Sequence, residues 1–177
     1  MATISESEPI SIGVLFSETG ITSGVEQTQR DAVLLAVSEI NARRGAGNFE
    51  LQPIFLDPAS DPKRYEAEAE NLISQGVRII FGCYMSSARR AVLPVVERAG
   101  ALLFYPTLYE GFEFSANCVF SGAATIQNCL MLADYMSENF GKRHYFVGSN
   151  YVFPYESNRI MRDLLVARGC TVLEERY

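Results

Sequence analysis

Apolar runs and longer amphipathic segments alternate along the whole chain. The first run, ISIGVLF at residues 10–16, predicts a buried strand, and similar runs predict strands at 51–56, 77–82, 101–106, 118–122, 144–149 and 170–177. Helix-length amphipathic segments separate most of these runs. The pattern therefore predicts an α/β fold, a parallel sheet with helices on its faces. Because the pattern starts again beyond Gly122, we expect one domain over residues 1–122 and the start of a second over 123–177.

Capping residues predict where the first two helices begin and end. The first helix is expected to run from Glu26 to a terminating Gly45. In the second, Asp61 is expected at the N-cap, Pro62 at the first helical position and Gly76 at the end. The buried face of this second helix is predicted to consist of Tyr65, Ala69 and Leu72.

Three further helices are predicted over residues 87–99, 126–141 and 155–169. Pro94 lies inside the first of them and is expected to kink it, because proline removes one backbone hydrogen bond. Periodicity along the helix at 126–141 predicts one buried stripe. Its members are Cys129, Leu132, Met136 and Phe140.

Charge and hydropathy restrict the kinds of partner. The 177 residues carry a net charge of −6 without a basic run, which disfavours direct binding to nucleic acid. No apolar run approaches the roughly 20 residues that span a bilayer, so no membrane insertion is expected. The first ten residues, MATISESEPI, lack the basic and apolar regions of a signal peptide. We therefore expect a cytoplasmic protein, or a periplasmic one if a signal peptide has been removed.

Cysteine and histidine usage argues against a metal site. The four cysteines form no C-x-x-C pair, and His144 is the one histidine, which is expected at the surface. We expect no metal, no cofactor and four reduced, buried cysteines. Asp57 and Asp61 flank a short turn after a strand, and a turn with an N-cap explains both aspartates better than a cation does.

Neutral polar and aromatic side chains follow three of the predicted strands. They occur in the segments GCYMSS, YPTLYEGFE and GSNYVFPYESN. The carboxyl ends of parallel strands form one edge, where α/β proteins bind small ligands. Hydroxyl groups and aromatic walls without excess charge suit a small, neutral, polar ligand. The alternative is that each tyrosine packs under a loop.

The same segments, together with LFSETG and RRAVLPVVERA, carry a family resemblance. The chain resembles the amide- and urea-binding branch of the type I periplasmic-binding-protein fold, and most of all the amide sensors that regulate aliphatic amidase expression. The resemblance implies two Rossmann-like lobes with a ligand between them, of which this chain covers the N-terminal half. Ligand-binding residues implied by the match are Tyr84, Ser86, Tyr105, Thr107, Tyr151 and Phe153. The amidase regulators have a tyrosine at the position of Phe153. In this respect the chain resembles the urea-binding branch instead.

Three functions follow as hypotheses. The first is a sensor for short aliphatic amides or urea that regulates amidase expression through a partner protein. The alternative is the solute-binding subunit of an ABC transporter for urea, short amides or branched-chain amino acids, with a permease as its partner. The third, an enzyme such as an amidase, would require His144 to activate Ser86, and the missing catalytic constellation counts against it. Because a two-stranded second unit is marginal alone, we also expect a homo-oligomer or a loosely ordered second unit.

Overall fold

A computed structural model describes residues 9–43 and 49–177, which form two compact units. The first unit extends to Pro106 and includes Ser115–Val119; the second comprises Thr107–Phe114 and Phe120–Tyr177. In chain order the elements are β1 (Ile10–Leu15), α1 (Ser23–Ala42), β2 (Leu51–Phe55), α2 (Pro62–Ser74), β3 (Ile79–Gly82), α3 (Ser86–Ala99), β4 (Leu102–Tyr105), β5 (Cys118–Phe120), α4 (Thr125–Asn139), β6 (Arg143–Val147), α5 (Val152–Ala167) and β7 (Thr171–Arg176).

The first sheet has the strand order β2-β1-β3-β4-β5. β1 pairs in parallel with β2 and β3, and β3 pairs in parallel with β4. The chain moves one way along the sheet from β1 to β2 and the opposite way from β2 to β3 and on to β4. Right-handed crossovers then place α1 on one face and α2 and α3 on the other. The predicted parallel α/β sheet with helices on both faces is confirmed.

Burial on both faces explains the apolar first strand. Every residue from Ile12 to Phe16 is buried, as expected for a central strand of a parallel sheet. Gly13 lets α2 approach closely, since a Cβ there would lie 2.7 Å from Leu72 Cδ1. The predicted buried face of α2 is confirmed. It consists of Tyr65, Ala69 and Leu72.

Two helices of the first unit differ from their predicted limits. α3 begins at Ser86, one residue early, and continues through the exposed Pro94 to a left-handed Gly100. The kink at Pro94 stays a prediction. α1 begins at Ser23, three residues before the predicted Glu26, with Thr22 at the N-cap position. The predicted end at Gly45 lies outside the described residues.

In the second unit, α4 and α5 pack against each other beside the parallel pair β6–β7. The predicted stripe of α4 was half wrong: Leu132 is 48% and Phe140 59% exposed, whereas Ala133 and Ser137 are buried. Apolar residues occur on several faces of α4, and its small side chains mark the buried face. The core of this unit consists of Cys129, Ala133, Met161, Leu165 and Cys170.

Two more expectations fail in the second unit. β6 begins one residue before His144, which is 7% exposed, so the predicted surface position of this histidine was wrong. α5 begins at Val152, three residues before the predicted start, and Phe153 therefore lies in its first turn rather than in a loop. Pro154 is compatible with that turn, where a backbone N–H has no helical partner.

The four cysteines lie in the interior of both units. All four cysteines are free and buried. Within residues 9–43 and 49–177, no three metal-ligating side chains converge. The helices in those ranges also lack the combination of length and hydropathy needed to cross a bilayer.

The loop after β2 is organised by the two aspartates, as predicted. Asp57 accepts hydrogen bonds from the Ala59 N–H at 2.8 Å, the Glu18 N–H at 2.9 Å and the Thr19 hydroxyl at 2.7 Å. Asp61 caps α2 by accepting from the Lys63 N–H at 2.8 Å. Both carboxylates therefore satisfy backbone donors, as a turn with an N-cap requires.

Asp61→Ala is expected to lower the free energy of unfolding by about 1 kcal/mol, the usual effect of losing an N-cap. Urea unfolding followed by circular dichroism measures the change. Glu66→Ala, an exposed substitution in the same helix, serves as the control and should change stability by less than about 0.5 kcal/mol. Equal effects of the two substitutions would show that the cap does not stabilise α2.

Asp57 is expected to make the free energy of unfolding depend on pH in the acid range. Partial burial acts to raise its pKa, but the hydrogen bonds from Thr19, Ala59 and Glu18 outweigh burial and hold the pKa of Asp57 below the ordinary value of 3.8. The unfolded chain therefore binds the proton more readily, and this stabilisation is lost as pH falls below about 4. Relative to wild type, Asp57→Asn should be less stable near pH 6, and the difference should shrink towards pH 3. Asp31→Asn, an exposed substitution on α1, should show no such convergence.

Candidate functional site

The strand order of the first sheet singles out one place where a ligand could bind. The chain leaves β1 in one direction along the sheet and leaves β3 in the other, so the switch point lies between these neighbouring strands. Ligands of open α/β sheets bind outside the carboxyl ends of the strands at such a point. The segments that follow are Ser17–Thr22 after β1 and Cys83–Met85 after β3.

The turn after β3 is tightly constrained. A Cβ on Gly82 would lie 2.5 Å from the Leu15 carbonyl oxygen, so the two strands can approach this closely only with glycine there. Cys83 then adopts a left-handed conformation with φ 70° and donates its N–H to Leu15 O at 3.1 Å. A non-glycine residue in this region costs about 1–3 kcal/mol, and such strain is concentrated at functional sites. The turn fixes the direction in which α3 begins.

Tyr105 ends β4 and is completely buried. Its hydroxyl donates to the Tyr84 carbonyl oxygen at 2.9 Å and is also hydrogen-bonded to the side chains of Arg89 and Ser86. The Arg89 guanidinium lies 4.7 Å from the centre of the Tyr105 ring. Burial raises the pKa of Tyr105 above its usual value, although the positive charge of Arg89 opposes the rise. Tyr105 thus remains a neutral hydrogen-bonding group.

Ser86 and Tyr84 are hydrogen-bonding partners of the Tyr105 hydroxyl at the start of α3. Ser86 is the first residue of α3 and is 3% exposed, whereas Tyr84 is half-buried in the turn before it. The first turn of a helix presents unpaired backbone N–H groups. Three of the six predicted site residues, Tyr84, Ser86 and Tyr105, are therefore brought together within the first unit.

The other three predicted residues belong to the second unit. Thr107 is half-buried, and its carbonyl oxygen would lie 1.9 Å from a Cβ on Gly122. Tyr151 occupies the N-cap position of α5 and is 39% exposed, and Phe153 is half-buried in the following turn. Tyr151 and Phe153 are thus held at one helix N-terminus, and all six assignments stay predictions.

Two buried charged residues in the first unit escaped the sequence analysis. Glu26 has no exposed surface, and Arg89 is 1% exposed. The helical spacing of both residues indicates that they are buried. Glu26 stands eleven positions before the buried Val37 on α1, and Arg89 stands three positions before the buried Val92 on α3, so each lies on an apolar face. Charged residues are normally assigned to the solvent side, which hides this signal.

The arrangement in the first unit favours binding over reaction. The Ser86 hydroxyl is hydrogen-bonded to a tyrosine rather than to a base, so it is not activated as a nucleophile. Hydroxyl groups, a tyrosine ring and a helix N-terminus can instead hold a small polar molecule.

Comparison with known proteins agrees with this chemistry. Residues 10–177 match the family described as periplasmic binding protein domain. The leucine-, isoleucine-, valine-, threonine- and alanine-binding protein of Pseudomonas aeruginosa is 28% identical over 100 residues, which is 56% of this chain and 27% of that protein. The Leu/Ile/Val-binding protein of Escherichia coli K12 is 27% identical over 99 residues, again 56% of this chain and 27% of the relative.

Solved structures share the fold. The branched-chain amino acid transporter substrate-binding protein LivJ of Streptococcus pneumoniae, in complex with isoleucine, superposes with a TM-score of 0.85 at 20% identity, over 96% of this chain and 49% of that one. A solute-binding protein of an ABC transporter from Rhodopseudomonas palustris BisB5, in complex with 3,4-dihydroxybenzoic acid, superposes with a TM-score of 0.86 at 19% identity. The match covers 95% of this chain and 47% of that one. The chain spans about half of each.

The family match covers nearly the whole chain, and it confirms the type I fold that the sequence motifs resemble. The relatives from Pseudomonas aeruginosa and Escherichia coli are named as binding proteins for amino acids, and neither name mentions amides or urea. The sequence belongs to the periplasmic binding protein domain family.

Proposed function

We propose that this chain supplies one ligand-binding lobe of a solute-binding protein that serves an ABC transporter. One observation carries the proposal: Tyr84, Ser86 and Tyr105 converge at the carboxyl edge of the first sheet, beside its switch point. The family membership and the names of the relatives support the same function, and they favour a binding protein over an enzyme.

The chemistry of the group suits a small solute that is neutral or zwitterionic. Ser86 can donate or accept a hydrogen bond, and the N-terminus of α3 favours a partial or full negative charge. An amino-acid carboxylate and an amide carbonyl both meet these requirements. Branched-chain amino acids are supported by the relatives, and short amides or urea by the motifs GCYMSS and YPTLYEGFE.

A second candidate is the amide sensor that regulates amidase expression, which the combined motifs favour. It differs from the first in compartment and partner. A transport protein works outside the cytoplasm with a membrane permease, whereas a sensor works in the cytoplasm with a regulatory protein. The family description supports the exported alternative better than the expected cytoplasmic location.

Deletion of the gene in its native host separates the two candidates. If the protein serves a transporter, uptake of radiolabelled leucine, acetamide or urea should fall when the gene is removed. Unchanged uptake together with amidase expression that no longer needs an amide inducer would instead identify a regulator.

Ser86→Ala and Thr107→Val are each expected to weaken ligand binding by roughly 1–3 kcal/mol, because each leaves a ligand polar group unpaired in a buried site. Isothermal titration calorimetry on the complete gene product, with leucine, isoleucine, valine, acetamide and urea, gives the affinities. Ser38→Ala, an exposed serine on α1, is the matched control and should bind as wild type does.

Unchanged affinity in both Ser86→Ala and Thr107→Val would place the ligand elsewhere. A loss in Ser86→Ala alone would keep the first-unit group and remove Thr107 from the proposal. Thermal unfolding of each variant shows whether a lost affinity reflects lost folding.

A further inference from the structure

We infer that Glu26 is a positioning residue, which holds the β1–α1 loop in its ligand-binding conformation before any ligand arrives. The inference rests on the proposed function, since it concerns the same edge of the first sheet. Glu26 itself is buried and reaches no solvent, so it acts through the residues that it holds.

The Glu26 carboxylate connects the two ends of the loop. One oxygen accepts from the Ser17 N–H at 2.8 Å, where β1 ends, and the other accepts from the Thr22 hydroxyl, where α1 begins. Tyr65 on α2 donates its hydroxyl to the first of these oxygens. Three donors thus surround an acceptor-only group, an arrangement that stabilises a buried carboxylate without a cation.

The same cluster extends to the loop after β2. The Ser17 hydroxyl lies 2.9 Å from the Tyr65 hydroxyl and accepts from the Ser60 N–H at 2.8 Å. Thr22 contacts Ser60 in turn. Their hydroxyl oxygens lie 2.7 Å apart, and the Thr22 N–H donates to the Ser60 hydroxyl oxygen at 3.1 Å. Because Tyr65 donates to Glu26, the Ser17 hydroxyl must donate to Tyr65. Each member is therefore held by at least two others.

The loop conformation itself depends on these contacts. Gly20 has φ 91°, and a Cβ there would lie 2.4 Å from the Ala59 carbonyl oxygen, so the two loops touch through their backbones. Ala59 and Ser60 both have positive φ, at 50° and 58°. Left-handed residues other than glycine persist only where the surroundings hold them. The hydrogen bonds around Glu26 provide that support for Ser60.

The cluster also reaches the turn that carries the candidate site. Burial raises the pKa of the Cys83 thiol, and the nearby Glu26 carboxylate raises it further, so Cys83 lies beside the cluster. Cys83 directly precedes Tyr84 and is bonded to the end of β1 through Leu15. The polar cluster thus adjoins the segments that follow both β1 and β3, the two strands of the switch point. A loop fixed in this way loses little entropy when a ligand binds, which favours affinity.

Tyr65→Phe tests the inference with the smallest change, because it removes one hydroxyl from the cluster and keeps the buried ring. Glu26→Gln and Glu26→Ala complete the series; Gln retains an acceptor and should behave closer to wild type than Ala does. Ile12→Val, a buried substitution in β1 outside the cluster, is the control for general destabilisation. All are made in the complete gene product, with L-leucine and acetamide as parallel calorimetric probes.

Tyr65→Phe is expected to bind about tenfold more weakly than wild type, with faster amide hydrogen exchange in residues 17–22 of the free protein. Ile12→Val should lower the Tm without changing affinity or exchange in that loop. Affinity within twofold of wild type in Tyr65→Phe, despite a lowered Tm, would overturn the inference and leave the proposed function intact. If wild type binds neither probe, the proposed function fails for those solutes, and unchanged exchange in residues 17–22 would still refute the role of Glu26.

Discussion

The first unit depends on how closely β1 and β3 approach each other at their carboxyl ends. Gly82 permits that approach, because any side chain there would collide with the backbone of Leu15. The chain must then turn sharply, which explains the left-handed Cys83, and α3 begins three residues later. Ser86 lies beside Tyr105 because the turn at Cys83 fixes where α3 begins. A backbone contact between two strands therefore determines where the candidate ligand-binding side chains lie.

Buried charge is handled in two ways in the first unit. Glu26 is surrounded by uncharged donors, whereas the Arg89 guanidinium lies over an aromatic ring and bonds its hydroxyl. Removing a charge from water is costly unless such partners replace the lost hydration. Both residues lie near the carboxyl edge, together with the buried polar residues Ser17 and Ser86. The desolvation of Glu26 and Arg89 therefore occurs close to the proposed ligand-binding edge, where a fixed side-chain geometry favours binding.

Sequence patterns predicted most of the fold because strands and caps are local signals. The strand at residues 10–16 and the Asp61 cap were recognisable from a few neighbouring residues. The buried face of α4 was not, because it depends on which helix packs against it, and small residues such as Ala133 outweighed the larger Leu132. Tyr84, Ser86 and Tyr105 could be predicted from strand ends and family motifs. Glu26 could not, since its partners come from positions up to 39 residues away.

The contact between Thr107 and Gly122 limits how this position can evolve. A side chain at residue 122 would overlap the Thr107 carbonyl oxygen, so the backbone is fixed from behind and cannot shift to accommodate a new neighbour. Glycine is required at residue 122 for as long as this path of the chain persists. At this contact the side chain of residue 107 can still vary, and exchanging threonine for valine there would replace a hydroxyl with a methyl group.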